Sequence, residues 1–216
     1  MTEKETQIIQ QTADFVREKL EGEGTGHDWW HIYRVWQNAR AITVEEGGNG
    51  LVIELAALLH DIADHKFHNG DETVGPKVAR AFLELLQVEE SSIEQVISIM
   101  QQVSFSKGVV PSSLEGRIVQ DADRLDAIGA IGIARAFAYG GYKQREIYNP
   151  NIPPVEYATK EDYKKNTNPT LNHFYEKLLL LKDMMNTKRG KALAKERHCF
   201  MQNYLDQFYL EWDGKR

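Results

Sequence analysis

The 216-residue sequence predicts an all-α protein, on three observations. Apolar residues recur at three- and four-residue spacing in one segment after another, and no stretch alternates strictly as a half-buried strand would. Glycine-rich or asparagine-containing breaks such as EGEGTG, GGNG and NGD separate those segments. The composition, 42% hydrophobic and 27% charged, is that of an ordinary globular chain long enough to bury a core in one domain.

From Thr2 to about Leu20, apolar residues at 8, 9, 13, 15, 16 and 20 lie among charges, which predicts a surface helix with one packed face. Glu21–Gly26 ends it, and a second helix begins near His27 or Asp28 and runs to about Glu45. Gly47, Gly48 and Gly50 separate that helix from Leu51–His68, LVIELAALLHDIADHKFH. Its apolar residues at 51, 52, 55, 58, 59 and 62 make it a core helix, yet it ends in a charged cluster that packing alone does not need. Asn69-Gly70-Asp71 is a turn, and the next helix starts near Thr73 with Pro76 in its first turn. Val88–Val103 follows as a helix with Ile93, Val96, Ile97 and Met100 inward, then a loop over Phe105–Ser113. Leu114 to Ala138 reads as one helix. Glycine costs about 1 kcal/mol against alanine inside a helix, so Gly129 and Gly132 there point to close backbone packing. Residues 140–169, rich in proline, tyrosine and asparagine, form either a lid or a wrapped surface excursion. Two last helices, Leu171 to about Met185 and about Lys188–Trp212, brace the bundle.

The net charge of −6, from 26 basic and 32 acidic residues, argues against a broad nucleic-acid-binding face, while leaving room for a local basic patch that holds phosphates. One cysteine, Cys199, excludes an intrachain disulfide and a thiolate zinc site and points to the cytoplasm; an inert, half-buried thiol is expected. The opening MTEKETQIIQQ lacks the order of a signal peptide, and no stretch has the length of a transmembrane span, so no membrane partner is expected. With no coiled-coil register, monomer and homodimer both stay open. GGNG and GAIG lack the lysine or strand context of a phosphate loop.

The chemistry concentrates around His60-Asp61, with Asp64, His65 and Lys66 just behind. In HDWWHIYRV, His27 and His31 are four apart and Arg34 is three further on, so all can share one helical face. Downstream, Asp121, Asp123 and Asp126 sit in a segment with apolar flanks, where a buried carboxylate is costly unless paired or bound to metal. Three helices offering imidazole and carboxylate make a mixed N/O site suited to manganese, iron, zinc, nickel or magnesium, and the imidazoles weigh against calcium. A salt-bridged helical core is the competing explanation.

His31 with Arg34-Val35, the His60-Asp61 doublet and Asp123 within DADRLDAIGA together resemble the HD-domain metal-dependent phosphohydrolase superfamily, most of all its small bacterial nucleotide hydrolases. The resemblance spans roughly residues 20–140 and GHDWWH adds to its specificity. It implies a single HD-type helical bundle over 1–216 with a C-terminal helical extension from about 170. It also implies one divalent ion, manganese first with Mg, Fe, Ni, Co or Zn as alternatives, held by His31, His60, Asp61 and Asp123, with Asp121 and Asp126 as competitors for the last place. Asp64 or His65 then positions or deprotonates water, Lys66, Arg34 and Arg124 receive phosphate, and His27 and Asp126 support ligand or water from behind. Lys107 and Lys143 are further phosphate candidates, His68 lies near the entrance, and one or two of Trp29, Trp30, Tyr142 and Tyr148 stack on a base. The implied reaction is hydrolysis of a small-molecule nucleotide, a nucleoside or deoxynucleoside triphosphate giving monophosphate and pyrophosphate. A 5′-nucleotide monophosphatase and a non-catalytic, metal-stapled helical regulator are the alternatives.

Overall fold

The computed structural model describes residues 1–20, 28–62, 73–103, 108–157 and 166–215. The chain divides into two compact units, Met1–Asp123 and Arg124–Arg216. No strand occurs among the described residues, as the three- to four-residue periodicity predicts, and no helix among them is long and apolar enough to cross a membrane.

The first unit contains α1 (Glu3–Leu20), α2 (Trp29–Glu46), α3 (Gly50–Leu59), α4 (Val74–Leu85) and α5 (Glu90–Val103), and most of α6 (Leu114–Asp126). α3 is the axis: it packs against α1, α2 and α5, while α4 lies on α5. Every residue from Val52 to Leu59 is buried, so this short helix has no solvent face. Burial of each large aliphatic there contributes roughly 1.5–3 kcal/mol. Asn49 caps it, its side chain accepting from the Val52 N–H, and Gly47 takes the positive φ of 75° that closes α2.

One residue of that buried run is a carboxylate. Glu54 accepts from the Trp36 indole at 2.6 Å and lies 3.7 Å from the Arg40 guanidinium, which itself stacks on Trp36. Its burial is thus compensated by a neutral donor and a cation on α2.

The second unit holds the end of α6, then α7 (Gly129–Tyr142), α8 (Asn172–Glu176), a 3₁₀ turn over Leu178–Met184 and α9 (Lys188–Trp212). Two elements differ from the sequence expectation. Leu114–Ala138 is not one helix: Ala127 and Ile128 close back on Arg124 and Leu125 with three-residue hydrogen bonds, and Gly129 turns the chain at φ 76°. Leu171–Met185 is likewise broken, at Lys177. Three-residue periodicity then places Leu178 and Leu181 together in the core while Leu180 is exposed.

α9 packs on α7 and on the 3₁₀ turn. Phe174 is fully buried among Phe137 and Tyr204. Tyr148 inserts edge-on among Phe208, Tyr209 and Trp212 of α9, with ring centroids 4.9–5.9 Å apart, so it is spent on packing within this unit. The Glu176 carboxylate accepts from Val155 N, Tyr157 OH and the amides of Asn166 and Asn168, tying both described flanks of the 140–169 excursion to α8. Cys199 is exposed, not half-buried as its aromatic neighbours in sequence suggest: α9 turns it outward while Met201 and Leu205 go inward.

Also in this unit, desolvation and the nearby Lys177 and Arg145 cations push the His173 imidazole down to about 4, from an ordinary 6.5. Between those values the unfolded chain binds a proton that the folded chain refuses, so stability is expected to fall as pH drops from 6.5 to 4. Urea midpoints at pH 5 and pH 7 should differ less in His173→Gln than in the parent chain.

Candidate metal centre

Asp28 occupies the N-cap of α2, and its carboxylate accepts the His31 backbone N–H at 2.9 Å. This fixes His31 in the first turn of α2, with its side chain turned inward and only 2% exposed. His60 stands at the other critical terminus, the C-cap of α3, where the apolar helix stops and Asp61 follows in the turn.

The His60 Nδ1 lies 2.8 Å from the Ala57 carbonyl oxygen. A carbonyl can only accept, so Nδ1 carries a proton; in the neutral ring this leaves the lone pair on Nε2, the tautomer a metal-binding histidine needs. That Nε2 is buried and takes no hydrogen bond from the described residues. A buried lone pair left so is costly. The His31 and His60 rings meet edge-on, centroids 5.4 Å apart.

Two carboxylates close the group. Asp61 Oδ2 lies 3.7 Å from both the His31 Nε2 and the His60 Nε2. Asp123, arriving on α6, places Oδ1 3.6 Å from His31 Nε2 and 4.0 Å from His60 Nε2. Ligands about 2.1 Å from a shared ion sit roughly 3–4 Å from one another. His31, His60 and Asp61 offer donor atoms all within 4.8 Å of one another, and Asp123, outside that mutual set, approaches both imidazoles from α6. Both imidazoles are almost wholly buried, whereas both carboxylates are 26% exposed, so solvent reaches the centre from its acidic side. The donor set, the spacing and the orphaned Nε2 all fit a divalent cation.

The remaining sequence candidates fall in several places. Arg34 lies one turn beyond His31 on α2 and is half-buried. Asp121 is fully buried in α6. Arg124 and Asp126 belong to the second unit, where Arg124 donates to the Met184 carbonyl and Asp126 pairs with Arg135. Lys143 sits over the exposed rings of Tyr139 and Tyr142, and Trp30 is exposed beside Tyr33. His27, Asp64, His65, Lys66, His68 and Lys107 lie outside the described residues.

Sequence reasoning overlooked three side chains that shape the centre or its helices. Asp28 was detectable, because an aspartate just before an apolar helical run is a capping signal. Glu54 was hidden within an apolar run, and Asn38, whose amide reaches the Ala122 carbonyl, carries no sequence signal at all.

Residues 29–128 match the HD domain family, a stretch that contains all four clustered side chains. The chain belongs to the HD superfamily of metal-dependent phosphohydrolases. It is 38% identical to the Bacillus subtilis protein YpgQ over 98% of its own length and 97% of that protein. An HD-superfamily hydrolase from Bacillus thuringiensis is 47% identical and superimposes with a TM-score of 0.79, covering 97% of this chain and 98% of that one. YpgQ crystallised in complex with ADP superimposes with a TM-score of 0.74 at 34% identity, over 94% of this chain and 97% of that one.

Proposed function

We propose that the chain hydrolyses a phosphate bond of a small nucleotide in the cytoplasm, cleaving a nucleoside or deoxynucleoside triphosphate to monophosphate and pyrophosphate. The observation that carries the nucleotide is the ADP complex of YpgQ, a relative aligned along nearly the whole chain. In this reading His31 and His60 present Nε2, and Asp61 and Asp123 present carboxylate oxygens, to one divalent ion, manganese first among the candidates. When bound, such an ion acidifies water and draws charge from a phosphoryl oxygen.

The protein's own groups do the rest. His60, fixed by Ala57, holds its tautomer without reorganisation. Asp64 or His65 takes the proton of the attacking water, and Lys66 and Arg34 receive phosphate oxygens, ahead of Arg124, which already serves Met184. His27 supports an imidazole and Asp126, which also pairs with Arg135, a water.

The test is a panel of nucleoside and deoxynucleoside triphosphates and monophosphates with Mn²⁺, the products separated by ion exchange. Pyrophosphate with monophosphate is the expected pair. Release of orthophosphate and nucleoside from monophosphates alone would replace this reading with the monophosphatase.

A further inference from the structure

We propose that Asn38 is a positioning residue of the metal centre: its amide anchors α6 at Ala122 so that the next residue, Asp123, faces His31. The proposal rests on the reading of Asp123 as a ligand.

Asn38 lies seven residues after His31 on α2. At about 100° per residue, two turns bring it back to nearly the same face. From there its Nδ2 donates to the Ala122 carbonyl at 3.2 Å, across 84 residues of sequence. Ala122 is fully buried, and Asp123 beside it reaches to 3.6 Å from His31 Nε2. One pair of helices is thus joined twice on one face, through backbone at Ala122 and through side chain at Asp123.

The anchor matters because α6 carries three carboxylates. Asp121 lies about 160° and Asp126 about 60° around the helix from Asp123, and a rotation of about 100° per residue of slip would withdraw Asp123 from the imidazoles. A side-chain contact alone slides easily, whereas a hydrogen bond to a main-chain carbonyl fixes both rotation and height. A carbonyl keeps a second lone pair after its helical bond, so accepting from Asn38 does not break α6. Asparagine is also a poor helix former, which makes its place in the middle of α2 costly without such a bond.

The experiment titrates the metal-free 216-residue chain with Mn²⁺ alone by calorimetry and records the melting temperature of each metal-free variant. Asn38→Leu is near in volume and cannot donate, Asn38→Gln still can, and Asp123→Ala is the reference. Asn38→Leu should weaken Mn²⁺ binding by roughly tenfold or more, the scale of outer-shell losses, with Asn38→Gln recovering part of it. In the Asp123→Ala background, Asn38→Leu should cost little further affinity, because its effect runs through Asp123. Unchanged affinity in Asn38→Leu beside a weakened Asp123→Ala overturns the role of Asn38 alone. A loss that is fully additive in the double variant, or that only follows the metal-free melting temperature, overturns it too. Unchanged affinity in Asp123→Ala instead overturns the assignment of the ligand, and the proposal with it.

Discussion

His60→Ala and Asp61→Ala are each expected to lower phosphohydrolysis by roughly a thousandfold, about 4 kcal/mol of transition-state stabilisation, while the chain stays folded. His60 and Asp61 follow the last helical residue of α3, so truncating either leaves the buried run Val52–Leu59 intact. His60→Ala removes the Nε2 that takes no hydrogen bond from the described residues, which relieves an unsatisfied acceptor as it deletes a donor to the ion. Asp61→Ala removes the oxygen that lies 3.7 Å from both imidazoles and leaves them facing each other. Product release with saturating Mn²⁺, measured beside far-ultraviolet circular dichroism, checks both parts. Turnover near the parent rate in either variant would refute the metal assignment, as would full turnover by rigorously metal-free protein.

The same two residues show why this much of the centre was legible from sequence. An apolar helix that ends in His-Asp announces polar groups at a terminus, where they follow the buried run without interrupting it. His31 was readable with them because a helix start lay just before it. The late aspartate was harder. Asp121, Asp123 and Asp126 occupy one short stretch, and only the rotation of α6 against α2 brings Asp123 to within 4.0 Å of both histidines. That rotation depends on contacts such as Asn38 with Ala122, remote in sequence and invisible to periodicity. Glu54 was missed for the opposite reason: its neighbours are so uniformly apolar that the run reads as core, and its partners Trp36 and Arg40 lie on another helix. The break after Asp126 was concealed because a glycine inside a helical pattern is tolerated, so neither Gly129 nor Gly132 declares whether it thins a helix or turns it.

Gly132→Ala decides between those two meanings, because they predict opposite signs. If Gly132 merely sat in a helix, alanine would stabilise the chain by about 1 kcal/mol. In the structure an added Cβ would lie 2.6 Å from the Ala127 carbonyl carbon and closer still to its oxygen. Those are main-chain atoms of the tight turn between α6 and α7, held by the Ala127 and Ile128 hydrogen bonds, and they cannot rotate aside as a side-chain tip can. Relief would require the turn itself to open, so Gly132→Ala is expected to destabilise by about 2–3 kcal/mol, at the upper end of overpacking costs. At this chain length that is a fall of roughly 4–12 °C in melting temperature. Gly141→Ala, near the end of the same helix, meets nothing within 4 Å and should hold or raise the melting temperature. Calorimetric scans of the two variants in one buffer separate steric conflict from helix propensity, since propensity alone would move both the same way. A Gly132→Ala protein that melts at or above the parent would mean that the turn is pliable, and that the break in α6–α7 does not depend on a missing side chain.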